Sequence, residues 1–451
     1  MVKAGQSQST LHAQDEKYIW HSMKPYNPDG TMVVTKAEGS WISDSEGNRF
    51  LDAMAGLWCV NVGYGREELA QAAYEQLKDV AYFPLTQSHV PAIKLAEKLN
   101  ELLEDDYVIF FSNSGSEANE TAFKIARQYH QQKGDQNRYK IVSRYRAYHG
   151  NSMGALAATG QAQRKYKYEP LAPGFVHVAP PDAYRDEDTG KEAHELTAVK
   201  EIDRVMTWEL SETIAAMIME PIITGGGILV PHDDYMKAAK EVCEKHGALL
   251  IVDEVICGFG RTGKAFGFMN YGVKPDIITM AKGITSAYLP LSATAVKREI
   301  YEAFKGSEEY DYLRHINTFG GNPAACALAL KNIEIMEREQ LFQRSAELGD
   351  KLKSDLKAHL QDHPLVGDIR GKGLLVGIEL VKDKKTKEPL GVGKVNEIIN
   401  FCKKEKLIIG KNGATVAGYN NVLTLSPPLN IEIEDLDYIV QTINRAFEQV
   451  K

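Results

Sequence analysis

Along the middle of the chain, short unbroken apolar runs alternate with longer stretches in which apolar positions recur every three or four residues. The runs at 107–111, 140–143, 175–178, 215–219, 249–252, 277–280 and 293–296 are too short for helices. They are rich in Val, Ile and Leu, as strands covered on both faces are. Between them, stretches such as 117–132 and 234–246 carry the helical period. This alternation predicts an α/β fold with a mostly parallel central sheet and helices on both faces. No repeat, low-complexity tract or linker rich in Gly, Ser or Pro interrupts it.

Beyond Pro323 the pattern changes. One long helical stretch over 324–359 leads to RGKGLLVGIELV, a helix near 394–405, the strand-like VLTLSP and an amphipathic helix from Ile433. These predict a smaller α+β lobe. Near the start, GSWISDSEGNRFLDAMAG predicts a hairpin, with Trp41 and Ile42, a turn at 45–47, then Phe50 and Leu51, packed on the same lobe. The expected division is an N-terminal segment 1–60 on the small domain, a large domain 61–330 and a C-terminal small domain 331–451.

A chain of 451 residues is long enough for both domains and their cores. The net charge of −8 includes no basic block, which argues against nucleic acid as a partner. No apolar run approaches the roughly 20 residues that span a bilayer. The opening MVKAGQSQSTLHAQDEKY lacks the apolar core of a signal peptide, so a cytoplasmic enzyme with no membrane partner is expected. Cys59, Cys243, Cys257, Cys326 and Cys402 form neither close pairs nor a CxxC spacing, which argues against a metal site and a disulfide framework.

Candidate chemistry concentrates in LLIVDEVICGFGRTG and IITMAKGI. Asp253 and Lys282 each end an apolar run, and the carboxyl ends of strands in an open parallel sheet line the ligand crevice. An amine and a carboxylate facing one pocket suit pyridoxal phosphate: Lys282 to hold the aldehyde, Asp253 to keep the pyridine nitrogen protonated. Taken singly, each is as readily a charge that starts a turn. FSNSGSEANETAFKIAR places Ser114, Gly115 and Ser116 before a helix, where bare amides bind phosphate and where serine and glycine are also ordinary caps. Tyr148 and His149 of YHGNSMG follow another strand, and an aromatic residue there can stack on a cofactor ring. Val255, two residues past Asp253, is placed to press on the opposite ring face. Thr318, in the glycine-rich NTFGGNP, has a hydroxyl suited to phosphate.

GLWCVNVGYG, SNSGSEAN, YHG, EPI at 220–222, DEVICGFGRTG, AKGITSAYLPL, NTFGGNP and RGKGLLVGIEL, in this order, closely resemble the class III aminotransferases, the omega-transaminase group of fold type I pyridoxal phosphate enzymes. The resemblance implies that Lys282 is the lysine bound to the cofactor and Asp253 the partner of the pyridine nitrogen. It implies that Tyr148 stacks on the ring and that Gly115 and Ser116 belong to the phosphate cup. Thr318 is implied to reach the phosphate of a neighbouring subunit, hence a homodimer or a dimer of dimers. Glu220 and Arg261 match positions that hold the site together. Trp58 matches an aromatic residue lining the substrate pocket, although a Trp packed beneath the cofactor is an equal reading. Tyr82, Phe83 and Leu85 are expected to add to that wall, with Met23 a further candidate.

One departure from the family stands out. Many omega-transaminases carry, aligned with Gly410, an arginine that pairs with a substrate carboxylate, whereas here Gly410 is followed by Lys411 and Asn412. Lysine lacks the bidentate fork of arginine. KNG followed by VAGYNN resembles the taurine–pyruvate aminotransferases, and Lys411, Asn412 and the amides around Gly413 suit a tetrahedral anion; a solvated surface loop is the other reading. The expected activity is a ping-pong transfer of an amino group from taurine, β-alanine or an alkyl or aryl amine to pyruvate or a similar keto acid. The alternatives are the adenosylmethionine-8-amino-7-oxononanoate transaminase of biotin synthesis and a pyridoxal phosphate racemase or aminomutase on the same fold.

Overall fold

The structure, a computed structural model, describes residues 8–23, 31–186, 188, 190–412 and 418–450. Near the N-terminus β1 (Val34–Glu38), β2 (Trp41–Asp44) and β3 (Arg49–Asp52) form an antiparallel meander. The Asp44 carboxylate closes the β2–β3 turn by accepting the backbone N–H groups of Glu46 and Asn48 at 2.9 and 2.8 Å.

The central sheet holds β4 (Tyr107–Ser112), β5 (Lys140–Arg144), β6 (Phe175–Val178), β7 (Ile214–Met219), β8 (Leu249–Asp253), β9 (Ile277–Met280) and β10 (Ser292–Lys297), in the order β4-β10-β9-β8-β7-β5-β6. Neighbours from β9 to β6 run parallel. Only β10, within this sheet, is antiparallel to its neighbours β4 and β9. Its apolar run resembles the others, because burial on both faces does not encode direction. Successive residues point to opposite faces. Ile251 and Ile277 pack under the helix Gly115–Gln132 with Phe123 and Ile125, while Leu250, Val252 and Ile278 join the larger core with Ile202, Met206 and Met236 of the helices Thr197–Trp208 and Tyr235–Lys245.

After the central sheet, the helical stretch expected over 324–359 is two helices, Pro323–Arg338 and Leu341–Leu360. The break falls at Gln340, whose φ of 51° is left-handed and interrupts the helical path without a Gly or Pro to announce it. Leu341 turns into the core beyond it. A second sheet contains β11 (Val366–Gly371), β12 (Val376–Asp383), with the short β13 (Glu388–Pro389) beside it, and further on β15 (Gly410–Lys411) and β16 (Val422–Leu425). Between β13 and β15 lies β14 (Leu407–Ile408), which leaves that sheet and pairs parallel with β3. The helices Val392–Lys404 and Ile433–Gln449 pack on each other beside this lobe. No helix among the described residues is long and apolar enough to cross a membrane.

Candidate active site

Five strands direct their carboxyl ends to one edge of the central sheet, and the next residues of the chain carry the polar groups. Asp253 ends β8, and Glu220 follows β7 by one residue. Tyr148 and His149 come four and five residues after β5, Lys282 two after β9, and Ser114 two after β4.

Asp253 is buried and held from three directions. Its Oδ2 accepts from Asn119 Nδ2 and from His149 Nδ1, both at 2.9 Å, and its Oδ1 from the backbone N–H of Val255 at 3.0 Å. Asn119 is itself oriented, because Thr279 Oγ1 donates to its Oδ1 at 2.7 Å while its Nδ2 also reaches the His149 carbonyl at 2.6 Å. A buried carboxylate with this many donors is held in one rotamer. Asn119 was not singled out by motif. The signal available was an amide on a helical stripe with Ala122 and Ala126, both buried.

Glu220 is also buried, which raises its carboxyl above the ordinary range. It accepts from the backbone N–H of Tyr148 at 3.2 Å and from Thr224 N and Oγ1 at 3.1 and 2.7 Å. Tyr148 is thereby fixed beside the His149–Asp253 pair, and burial raises its phenol so that it stays protonated. The Arg164 guanidinium lies 4.7 Å from the Tyr148 ring centroid.

The helix Gly115–Gln132 begins under Ser114, whose Oγ accepts from Glu117 N at 3.3 Å. A Cβ on Gly115 would stand 3.0 Å from both Val255 methyl carbons, so glycine allows the first turn to close on that side chain. The Ser116 hydroxyl donates to Asn151 Oδ1 at 3.0 Å and accepts from Asn151 N at 3.1 Å.

Lys282 adopts a φ of 48°, a region costly for residues other than glycine and characteristic of sites that aim a side chain. Desolvation by burial pushes its ammonium below the ordinary lysine range. The Trp58 ring centroid is 5.9 Å from Lys282 Nζ, so Trp58 borders the amine. Behind them the fully buried Arg261 ties three parts of the chain together, donating to Asn61 Oδ1 at 2.9 Å and to the carbonyls of Leu374 and Pro427 at 3.1 and 2.5 Å. Burial lowers its guanidinium to about 10.

Other candidates lie apart. Tyr82 donates its hydroxyl to the Thr318 carbonyl at 2.9 Å and packs on Phe319 at 6.0 Å, and Phe83 is half exposed beside it. Among the described residues, no hydrogen bond, ion pair or ring contact joins Phe83 or Thr318 to Lys282. A cleft of about 640 Å³ lined by Leu85, Ile93, Phe110 and Ile316 opens near them, away from Lys282. Lys411 is half-buried. Its amine donates to Asn396 Oδ1 at 2.5 Å, on the exposed side of the helix Val392–Lys404. Asn412 is buried and its amide is spent on Tyr419 O and Val422 N, which closes the β15–β16 hairpin. Gly413 lies outside the described residues. Met23 is exposed, with its sulfur 3.5 Å from Arg164 Nη1.

Over residues 23–447 the sequence matches the family model described as Aminotransferase class-III. The chain belongs to the class-III aminotransferases. Three relatives show how this aminotransferase sits among its kin. It is 67% identical over 445 residues to the uncharacterised aminotransferase YhxA of Bacillus subtilis (strain 168), covering 99% of this chain and 98% of the relative. It is 42% identical over 444 residues to the taurine–pyruvate aminotransferase of Bilophila wadsworthia (strain 3_1_6), covering 98% and 97%. A crystal structure of a Bacillus anthracis aminotransferase, 68% identical, superposes with a TM-score of 0.97 over 98% of both chains.

A class-III aminotransferase depends on pyridoxal phosphate and acts on an amine and a keto acid. The residues present fit that cofactor: a buried carboxylate braced for a protonated ring nitrogen, a desolvated lysine, and a glycine-led helix start closed against Val255.

Proposed function

We propose that this aminotransferase is an omega-transaminase, a cytoplasmic enzyme that moves the amino group of taurine, β-alanine or an alkyl or aryl amine to pyruvate or a similar keto acid in two half-reactions. The observation that carries the reading is the Lys282 amine, desolvated and bordered by the flat apolar face of Trp58. Such a wall suits the chain of an amine better than an α-carboxylate. The 42% identity to a taurine–pyruvate aminotransferase supports the donor class.

When bound, pyridoxal phosphate supplies the electron-withdrawing ring that takes up the charge left when the substrate carbon loses its proton. Asp253, locked by Asn119 and His149, would keep a proton on the ring nitrogen. Ser114, Gly115 and Ser116 would hold the phosphate at the helix start, and Tyr148 and Val255 would cover the ring and keep water away. Lys282, its proton affinity lowered by burial, is a free amine over a wider pH range than an exposed lysine. With the cofactor bound, Lys282 would be the group that takes up the proton lost by the substrate carbon and later gives one back, base then acid. The amine donor leaves as a carbonyl compound, and the keto acid leaves as an amino acid.

Thr318 and Phe83 would serve the site of a second copy of this chain. Ile316, which lines the apolar cleft, is 61% exposed, and Phe83 and Phe319 are 50% and 64% exposed, apolar surface that a homodimer or dimer of dimers would cover.

The test is an absorbance titration of the holoenzyme with taurine, β-alanine, 1-phenylethylamine and S-adenosylmethionine, each followed by pyruvate. Loss of the lysine-bound band with one of the first three and its return with pyruvate is expected. Conversion by S-adenosylmethionine alone would assign the biotin-pathway activity, and a band that no amine moves would favour a racemase or aminomutase. Lys282→Ala should lose the band and nearly all turnover.

A further inference from the structure

We propose that Arg164 receives the anionic tail of the amine donor, a sulfonate or carboxylate, at the mouth of the site; this rests on the transaminase reading above. Arg164 belongs to the short helix Ala162–Lys165, and its guanidinium stacks 4.7 Å from the centroid of the Tyr148 ring. Tyr148 is anchored by Glu220 and adjoins His149, which binds Asp253, so the cation stands one aromatic ring away from the polar centre.

Its charge is positioned without being neutralised. Gln161 is fully buried, and its Nε2 donates to the Arg146 carbonyl at 2.8 Å, which leaves Oε1 to accept from Arg164 Nε at 2.5 Å. Nη1 lies 3.5 Å from the Met23 sulfur, a weak acceptor, and Nη2 has no hydrogen-bond partner among the described residues. No carboxylate lies within ion-pair distance of Arg164 among those residues. Nearby arginines differ: Arg146 pairs with Asp182 at 2.9 Å, Arg185 with Glu379 at 2.5 Å, and Arg370 with Asp368 and Glu379 at 3.0 and 2.7 Å. A guanidinium stacked on an aromatic ring keeps its edge free for two parallel hydrogen bonds, the geometry that sulfonate and carboxylate oxygens accept. With Lys411 turned to Asn396 and the Asn412 amide spent on backbone, Arg164 is, among the described residues, a cation placed to meet an anion beside Tyr148.

Two measurements test this on the holoenzyme, with Arg164→Met and Arg164→Lys compared to the wild type and checked for unchanged Tm. In the first, half-reaction rates are read by absorbance with taurine and with 1-phenylethylamine. The taurine-to-phenylethylamine ratio should fall about 10- to 100-fold in Arg164→Met, as for loss of a charged hydrogen bond, and recover in part in Arg164→Lys. An equal loss with both donors would make Arg164 a support for Tyr148 and overturn the proposal, as would an unchanged ratio. In the second, ethanesulfonate, which has the anion but no amine, is titrated calorimetrically. Binding to the wild type that weakens at least about tenfold in Arg164→Met supports the proposal, and equal affinity in both overturns it. Failure of the transaminase reading shows separately, as a cofactor band that no amine converts.

Discussion

The contact between Gly115 and Val255 links the helix start proposed to face the phosphate to the side chain proposed to face the ring, and Gly115→Ala probes it directly. The new Cβ would lie 3.0 Å from both Val255 methyl carbons, so Val255 must give by a few tenths of an ångström. Overpacking of this kind costs about 1–3 kcal/mol, while Ala in place of Gly inside a helix regains up to about 1 kcal/mol. In the cofactor-free protein Val255 can lean away and the two effects nearly cancel, so Tm should change little. If the ring lies against Val255 as proposed, it would press that side chain back, and the strain would reappear in binding. The expected loss of pyridoxal phosphate affinity is about 5- to 150-fold, the range that about 1–3 kcal/mol spans. The assay is a calorimetric or fluorescence titration of apo-protein in a double-mutant cycle with Val255→Ala, where the Gly115→Ala effect should vanish. An undiminished effect in the Val255→Ala background, or no loss in the single variant, would refute the argument.

Acid should weaken the fold through His177. Its imidazole is lowered to about 4, first by burial and then by the Lys165 ammonium, which donates to its Nε2 at 3.2 Å. A folded value below the unfolded 6.5 means that the unfolded chain binds more protons between them. This contribution is therefore complete above pH 6.5 and is lost as pH falls toward 4, about 3 kcal/mol in all. His177→Gln should flatten that part of a Tm-against-pH curve, and a parallel curve would count against it. Lys411→Gln should leave kcat/KM for taurine within about twofold, because its amine is engaged by Asn396 on the outer helix; a loss near that expected for Arg164→Met would reinstate the loop as the anion site.

The seven central strands were legible because a strand buried on both faces leaves an unbroken apolar run, and Asp253 and Lys282 drew notice as charges ending such runs. The direction of β10 was not, since burial is the same whichever way a strand points. The break at Gln340 was hidden because a residue without glycine's freedom adopts the left-handed turn there. Around the site, sequence spacing located residues by strand end but not by the way their side chains turn. Lys411 and Asn412 looked like an anion loop, yet one reaches outward and the other closes a hairpin. Arg164 carried no signal at all: a cation in QAQRKYKY looks like any solvated charge until the buried Gln161 and the Tyr148 ring are seen to hold it.

The parallel pairing of β14 with β3 sets Leu51 against Leu407 and Ile408 against Asp52, joining residues from opposite ends of the chain. During synthesis, β3 emerges early and waits for almost the whole remaining sequence, with its open edge uncovered meanwhile. The central sheet, whose strands end at Lys297, can assemble before that partner exists. A ribosome stalled after the central sheet would therefore carry an ordered core and an unpaired β3 edge, the segment on which a chaperone has most reason to act.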